Sequence, residues 1–354
     1  MIVLWGRATD PPTSSVCRAL DRCGAPYAVV DQATVDAGDV DITFVPEVRG
    51  RVGGVDVHDV RALFVRPCDE PGAEGRGETL DGAERSRRMA TRAAATSAMV
   101  TWSELTDALV VNWLSAQASN TSKLLQLDAA RAAGFEVPAT LATTDPAAAR
   151  RFVEAQGAVV YKSLSGVRSI VRRLGADELD RLAEVAWCPT LFQAYVGGID
   201  HRVHVVGERT FATMVVSDGD DYRYDDGTTQ AAVALDTDVA QRCVRLTHEL
   251  GLVMSGIDLR RTYDGRWVFF EANPSPAFTY FEVRGRSDIA DALAALLSGR
   301  EAFRPGPARP FWRYGHRSSG ADTSRTSGAG AIGGGPGGDG RRGRVLYGGV
   351  GDGR

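Results

Sequence analysis

Between Ser255 and Pro274 the chain reads SGIDLRRTYDGRWVFFEANP, two largely apolar runs broken by Asp264-Gly265. Asp-Gly in that setting signals a hairpin, because a two-residue turn needs positive φ, which glycine adopts without steric cost. With these residues as the turn, Tyr263 faces Arg266, Leu259 faces Phe270 and Asp258 faces Glu271. Side chains alternate across a strand, so one face carries Ile257, Leu259, Val268, Phe270 and Ala272 against a core. The other carries Asp258, Arg260, Glu271 and Asn273. Two carboxylates directly opposite each other destabilise a sheet. A divalent cation removes the conflict, since Mg²⁺ takes hard oxygen ligands and Mn²⁺ accepts the same set. Asp258, Glu271 and the amide oxygen of Asn273 are therefore the candidate metal ligands. The competing arrangement is a solvent-facing hairpin on which Arg260 neutralises the acids.

Cations elsewhere complement this face. Lys123 stands at a helix start and Lys162 at a strand end, where both can hold phosphate as compact charges. Ser163 to Gly166 follows Lys162 as a short loop able to turn N–H groups toward an anion. The strand ending Gln193-Ala194-Tyr195-Val196 runs into Gly197-Gly198, a linker whose backbone can meet an adenine edge. Beyond it, Asp200 can take ribose hydroxyls and Arg202 is placed for phosphate. Taken alone, either lysine reads as an ordinary surface residue, and His201 and His204 read as strand residues without a catalytic partner.

The chain has 354 residues and a formal net charge of −4, which argues against a general nucleic-acid binder. An apolar run of about 18 residues, the length of a membrane span, is lacking. Met1–Gly6 enters a strand with no charged lead, unlike a signal peptide. Cys17, Cys23, Cys68, Cys188 and Cys243 show no paired spacing and read as small buried hydrophobes in a reducing cytoplasm. Residues 1–109 alternate strand and helix as a small α/β layer: Ile2–Trp5, helix Ser14–Arg22, Tyr27–Asp31, Arg61–Val65 and a long helix from Gly82. No GxGxxG follows the first strand, which argues against a dinucleotide site. Residues 110–188 hold the helix Lys123–Ala133 and the strand Ala158–Lys162, and residues 189–303 are strand-rich. Residues 304–354 form a Gly/Ser/Arg-rich tail whose composition predicts disorder.

Lys123, GFEVPAT (Gly134–Thr140), Lys162, QAYVGGIDHR (Gln193–Arg202) and Asp258…Glu271-x-Asn273, in this order, resemble the ATP-grasp superfamily from about Val110 to Leu297. Asn112–Thr140 and Asn273–Glu282 look most like the RimK-type ligases and the graspetide (microviridin-type) peptide maturases. Asp221-Tyr222-Arg223 is similar to an Asp-x-Arg motif that contacts the modified peptide in graspetide synthetases, or else is a polar loop ion pair. The loop after Lys162 departs from the family's longer multi-glycine pattern. The resemblance implies an α/β and α+β protein, an N-terminal Rossmann-like (pre-ATP-grasp) domain before two α+β subdomains that clamp ATP and Mg²⁺. It implies adenine on Gln193–Val196, phosphates on Lys123, Lys162, Ser163 and Gly166, and Arg202 and Arg260 as catalytic cations. It further implies a homodimeric ligase that activates a carboxylate as an acyl phosphate, acting on a peptide, such as a precursor peptide, or an amino acid. A kinase and a non-enzymatic ATP-binding regulator are the alternatives of other classes.

Overall fold

The computed structural model describes residues 1–68, 81–164, 171–216, 228–282 and 288–303. The tail and its expected disorder lie outside the described residues, as do Gly166, Asp221 and Arg223.

Ile2–Gly6 is buried along its whole length between Tyr27–Asp31 and Ala62–Arg66, both parallel to it, with Leu109–Val111 extending the sheet. Parallel strands of this kind need cover on both faces. Ile2, Leu4, Ala62 and Phe64 share a core with Val16, Ala19 and Leu20 of the helix Pro11–Cys23. Val3, Trp5, Leu63 and Val65 pack with Met99 and Trp102 of the helix Gly82–Leu105. The first helix begins at Pro11, ahead of the expected Ser14, because Asp10 caps it by accepting from the Thr13 N–H and its prolines need no partner in the first turn. Three short strands, Val40–Thr43, Arg49–Val52 and Val55–Asp56, form a small antiparallel sheet that no clear alternation in the sequence announces. The helix Asp288–Leu297 is apolar on most sides because it lies between layers, sharing a core with Leu20, Val206, Met254 and Phe278.

Thr140–Thr143, Thr190–Ala194, Val159–Ser163 and Arg172–Arg173 make an antiparallel sheet whose Val159 and Phe192 pack on Ala149 of the helix Pro146–Gln156. A five-stranded antiparallel sheet follows in the order Thr229–Val233, Arg209–Val216, Ile199–Val206, Met254–Arg261, Trp267–Asn273. Val203, Val205, Ile257, Leu259 and Phe269 pack on Leu127 of the helix Lys123–Ala132 and Leu246 of the helix Thr237–Glu249. No helix among the described residues is long and apolar enough to cross a membrane.

The hairpin keeps Asp258 opposite Glu271 but reaches that register differently. The turn is wider than two residues: Thr262 closes it through bonds from its N–H to Arg266 O and from the Arg266 N–H to its own Oγ1, both 2.9 Å. Gly265 takes the positive φ of 89°. Arg261 therefore pairs with Trp267 and Leu259 with Phe269, and a bulge at Phe270 restores the Asp258–Glu271 pairing. As a consequence Phe269 enters the core, while Phe270 turns to the polar face, half-buried. None of the five cysteines forms a disulfide, and only Cys243 is the fully buried hydrophobe expected, its thiol pushed up to about 12 by burial; Cys68 and Cys188 are exposed.

Candidate active site

The two acids are not left to repel each other. Arg202, on the neighbouring strand and in register with Asp258, donates from Nη1 to Asp258 Oδ1 at 2.7 Å. Lys123, the first residue of its helix, brings Nζ to 3.7 Å from Glu271 Oε2. Both cations are buried, their side chains 8% and 5% exposed, whereas Asp258 and Glu271 keep 30% and 26%. The acids thus stay partly exposed, each paired with a buried cation. Asn273, next on the same face, accepts from the Ser275 N–H at 2.8 Å, which fixes its amide.

Arg260 is not the counter-ion of these acids. Its Nε and Nη2 hold Asp200 in a fork of 2.7 and 2.8 Å, and its Nη1 donates to Val196 O at 2.8 Å. The guanidinium lies 5.3 Å from the Phe270 ring centroid and 6.0 Å from that of Tyr195, whose ring also receives Arg173 at 4.0 Å. Asp200 and Arg260 were expected at ribose and in catalysis; the structure joins them to each other and to the linker.

Within that linker the Ala194 N–H donates to Ala139 O and the Tyr195 N–H to Ala158 O, at 2.9 and 2.8 Å. Gln193 is buried and donates to Thr140 Oγ1 at 3.2 Å. Gly198 crosses so close to the next hairpin that a Cβ would meet Arg261 O at 2.3 Å. Lys162 is buried opposite Leu191, and Ser163 is exposed at the end of the same strand. A cavity of about 550 Å³ opens beside the linker, lined by Pro138, Ala139, Tyr195, Val196, Gly197 and Val268 among others. A larger one, about 750 Å³, lies between Met1, Arg61, Leu297 and Phe303 and contains none of the candidate residues.

His201 bonds Ile199 O through Nδ1 and meets the Trp267 ring edge-on, and burial lowers its pKa. His204 is fully buried against Phe281, and burial holds its pKa well below the ordinary value. The sequence reading missed Arg66. From the carboxyl end of its parallel strand it pairs with Asp10 at 2.7 Å and donates to Ser275 O and Oγ and to Pro276 O at 3.0, 2.8 and 3.1 Å. Its position at a strand's carboxyl end, where open α/β sheets place their sites, was the available signal.

Among the described residues there is no cluster of three or more His, Cys, Asp or Glu. The candidate set of Asp258, Glu271 and Asn273 offers two carboxylates and an amide oxygen, hard oxygens that would suit Mg²⁺ better than a transition metal.

The family model described as the RimK-like ATP-grasp domain matches residues 118–297. Human beta-citrylglutamate synthase B is 35% identical over 123 residues, 32% of each chain. Mouse N-acetylaspartylglutamate synthase A is 30% identical over 171 residues, 43% of this chain and 45% of that one. The chain thus spans less than half the length of these curated relatives. The solved ATP-grasp ligase PsnB, in complex with a phosphomimetic variant of a minimal precursor, Mg and ADP, superposes with a TM-score of 0.67 at 26% identity, over 84% of this chain and 98% of that one. The RiPP-associated ATP-grasp ligase of Chryseobacterium gregarium, in complex with ADP and a leader and core peptide, shares the fold with a TM-score of 0.72 at 20% identity, over 86% and 98%. With half of its length in the matched domain and its fold that of ATP-grasp ligases, the chain belongs to the RimK-like ATP-grasp family.

Proposed function

We propose that the chain is an ATP-dependent ligase that activates a carboxylate as an acyl phosphate and passes it to a hydroxyl or amine, forming ester or amide crosslinks in a ribosomally made peptide. The observation that carries this reading is the opposed pair Asp258 and Glu271, each backed by a buried cation. With Asn273 they would hold Mg²⁺ or Mn²⁺, which neutralises charge on bound phosphates. Lys123 and Lys162 hold the phosphates, with Ser163 and Gly166 beside them, and Arg202 holds the transferring group. Gln193, Ala194, Tyr195 and Val196 seat the base. Since the Ala194 and Tyr195 amides are committed, the Tyr195 carbonyl and Val196 amide are the edge we assign to it. Arg260 positions Asp200 beside the ribose. A carboxylate oxygen attacks the terminal phosphorus and ADP leaves; the acceptor adds to the acyl carbon, phosphate leaves and the acceptor's proton passes to solvent. Asp221 and Arg223 contact the peptide. PsnB, solved with its precursor peptide, supports the peptide substrate.

The amino-acid ligases among the curated relatives favour a second reading, addition of a single amino acid to a peptide or small molecule. One incubation with Mg²⁺–ATP and a precursor peptide separates the two. Loss of one water per ADP supports crosslinking, and gain of an amino-acid residue supports the second. A hydroxylamine-stable phosphate adduct contradicts both and indicates a kinase.

A further inference from the structure

Gly256 has an ordinary backbone conformation for a strand, so the reason for a glycine there is space rather than φ. A Cβ at 256 would lie 2.3 Å from Arg202 Nη2, 2.8 Å from Arg202 Cζ and 2.8 Å from Pro276 Cβ. The guanidinium of Arg202 thus rests on bare backbone, with Pro276 as a wall and the Phe281 ring 5.6 Å away. The wall is fixed from the N-terminal layer, where Arg66 grips Pro276 O and both oxygens of Ser275. Of the two neighbours a new methyl would meet, the guanidinium is the end of a flexible side chain, whereas Pro276 is a rigid ring whose carbonyl Arg66 holds.

We infer that Gly256 is a positioning residue for Arg202: it provides the slot from which the guanidinium reaches both Asp258 and the transferring phosphate. The inference rests on the role proposed above for Arg202. It follows that Gly256→Ala displaces the guanidinium, the neighbour freer to give, and harms most what Arg202 touches. A displacement of about 1 Å is enough to cost up to ~100-fold at such a site.

The test uses the full chain with Mg²⁺ and two probes, AMPPNP and ADP, titrated by calorimetry. The readout is the ratio of the two affinities, which a general structural defect leaves unmoved because only AMPPNP carries the third phosphate. Four proteins are compared: the parent, G256A, R202K and the double variant. Lysine keeps the charge but lacks the fork, and its single ammonium is not forced against a methyl at 256. Each single variant should lower the AMPPNP:ADP ratio by about tenfold or more, and the double variant no further than R202K, since residues acting as a unit are not additive. A parental ratio in G256A, or losses that multiply, overturns the inference and leaves the role of Arg202 standing. A parental ratio in R202K overturns that role, and the inference with it. Should G256A fail to fold, Arg202→Ala in the same chain restores folding if the slot belongs to the guanidinium; a double variant that stays unfolded overturns it.

Discussion

Lys123 and Glu271 meet across the boundary between a helix start and a sheet, Nζ to Oε2 at 3.7 Å, with the lysine buried and the acid partly exposed. That relation changes what removing the acid should do. Considered with Asp258 alone, Glu271→Gln relieves repulsion; with Lys123 behind it, the same change takes a partner from a buried cation. Glu271→Gln is expected to lower stability by about 1–3 kcal/mol, read from chemical denaturation, and to abolish turnover. A variant as stable as the parent would show that the pair contributes nothing to the fold.

The fork to Asp200 holds the Arg260 guanidinium where its Nη1 ties the linker to the sheet through Val196 O. Asp200→Asn should cost about 1–3 kcal/mol and weaken AMPPNP binding, because the guanidinium then loses its charged partner while still reaching Val196 O. Unchanged melting and unchanged affinity together would show that the fork is incidental.

The bulge separates two adjacent aromatic residues by role. Phe269→Ala should cost about 3–5 kcal/mol, as for a core phenylalanine. Phe270→Ala should cost much less and act on nucleotide affinity instead, because its ring faces Arg260. Equal losses of stability would contradict the bulged register.

His204 has its pKa lowered by burial, with the Arg202 charge acting in the same direction. A base depressed in the fold contributes stability that is present above its unfolded pKa and is lost as pH falls below about 6.5, because the unfolded chain then binds the proton that the fold refuses. Across pH 7.5 to 5.5, roughly one unit either side of that value, the parent should therefore lose more stability than His204→Leu. Parallel curves for the two proteins would contradict the buried, neutral imidazole.

Much of this architecture was legible because local rules and tertiary packing agree. The strand that starts at Ile2 and the glycine-ended first helix follow from periodicity and turn chemistry. The partners of the cations were not legible. Asp200 and Arg260 lie on different strands, and only the register Asp200↔Arg260 makes them neighbours. Arg66 reaches Ser275 across two layers, and no spacing in a sequence encodes that distance. Phe269 and Phe270 are chemically identical, so alternation counted from a two-residue turn assigned the core to the wrong one; a wider turn and a compensating bulge gave the right acid pair by another route.

If a carboxylate is activated as an acyl phosphate in the site built on Asp258, Glu271, Arg202 and the two lysines, one of its oxygens ends in the released phosphate. An oxygen label tests it most directly. The donor carboxylates of a precursor peptide are enriched in ¹⁸O, the peptide is converted with Mg²⁺–ATP, and the released inorganic phosphate is analysed by mass. In an acyl phosphate the labelled oxygen bridges carbon and phosphorus, and attack at the acyl carbon leaves it on phosphate. One labelled oxygen is expected in phosphate for every bond formed, with ADP in equal amount. Phosphate that carries no label while bonds form, or label that leaves in AMP, would contradict it.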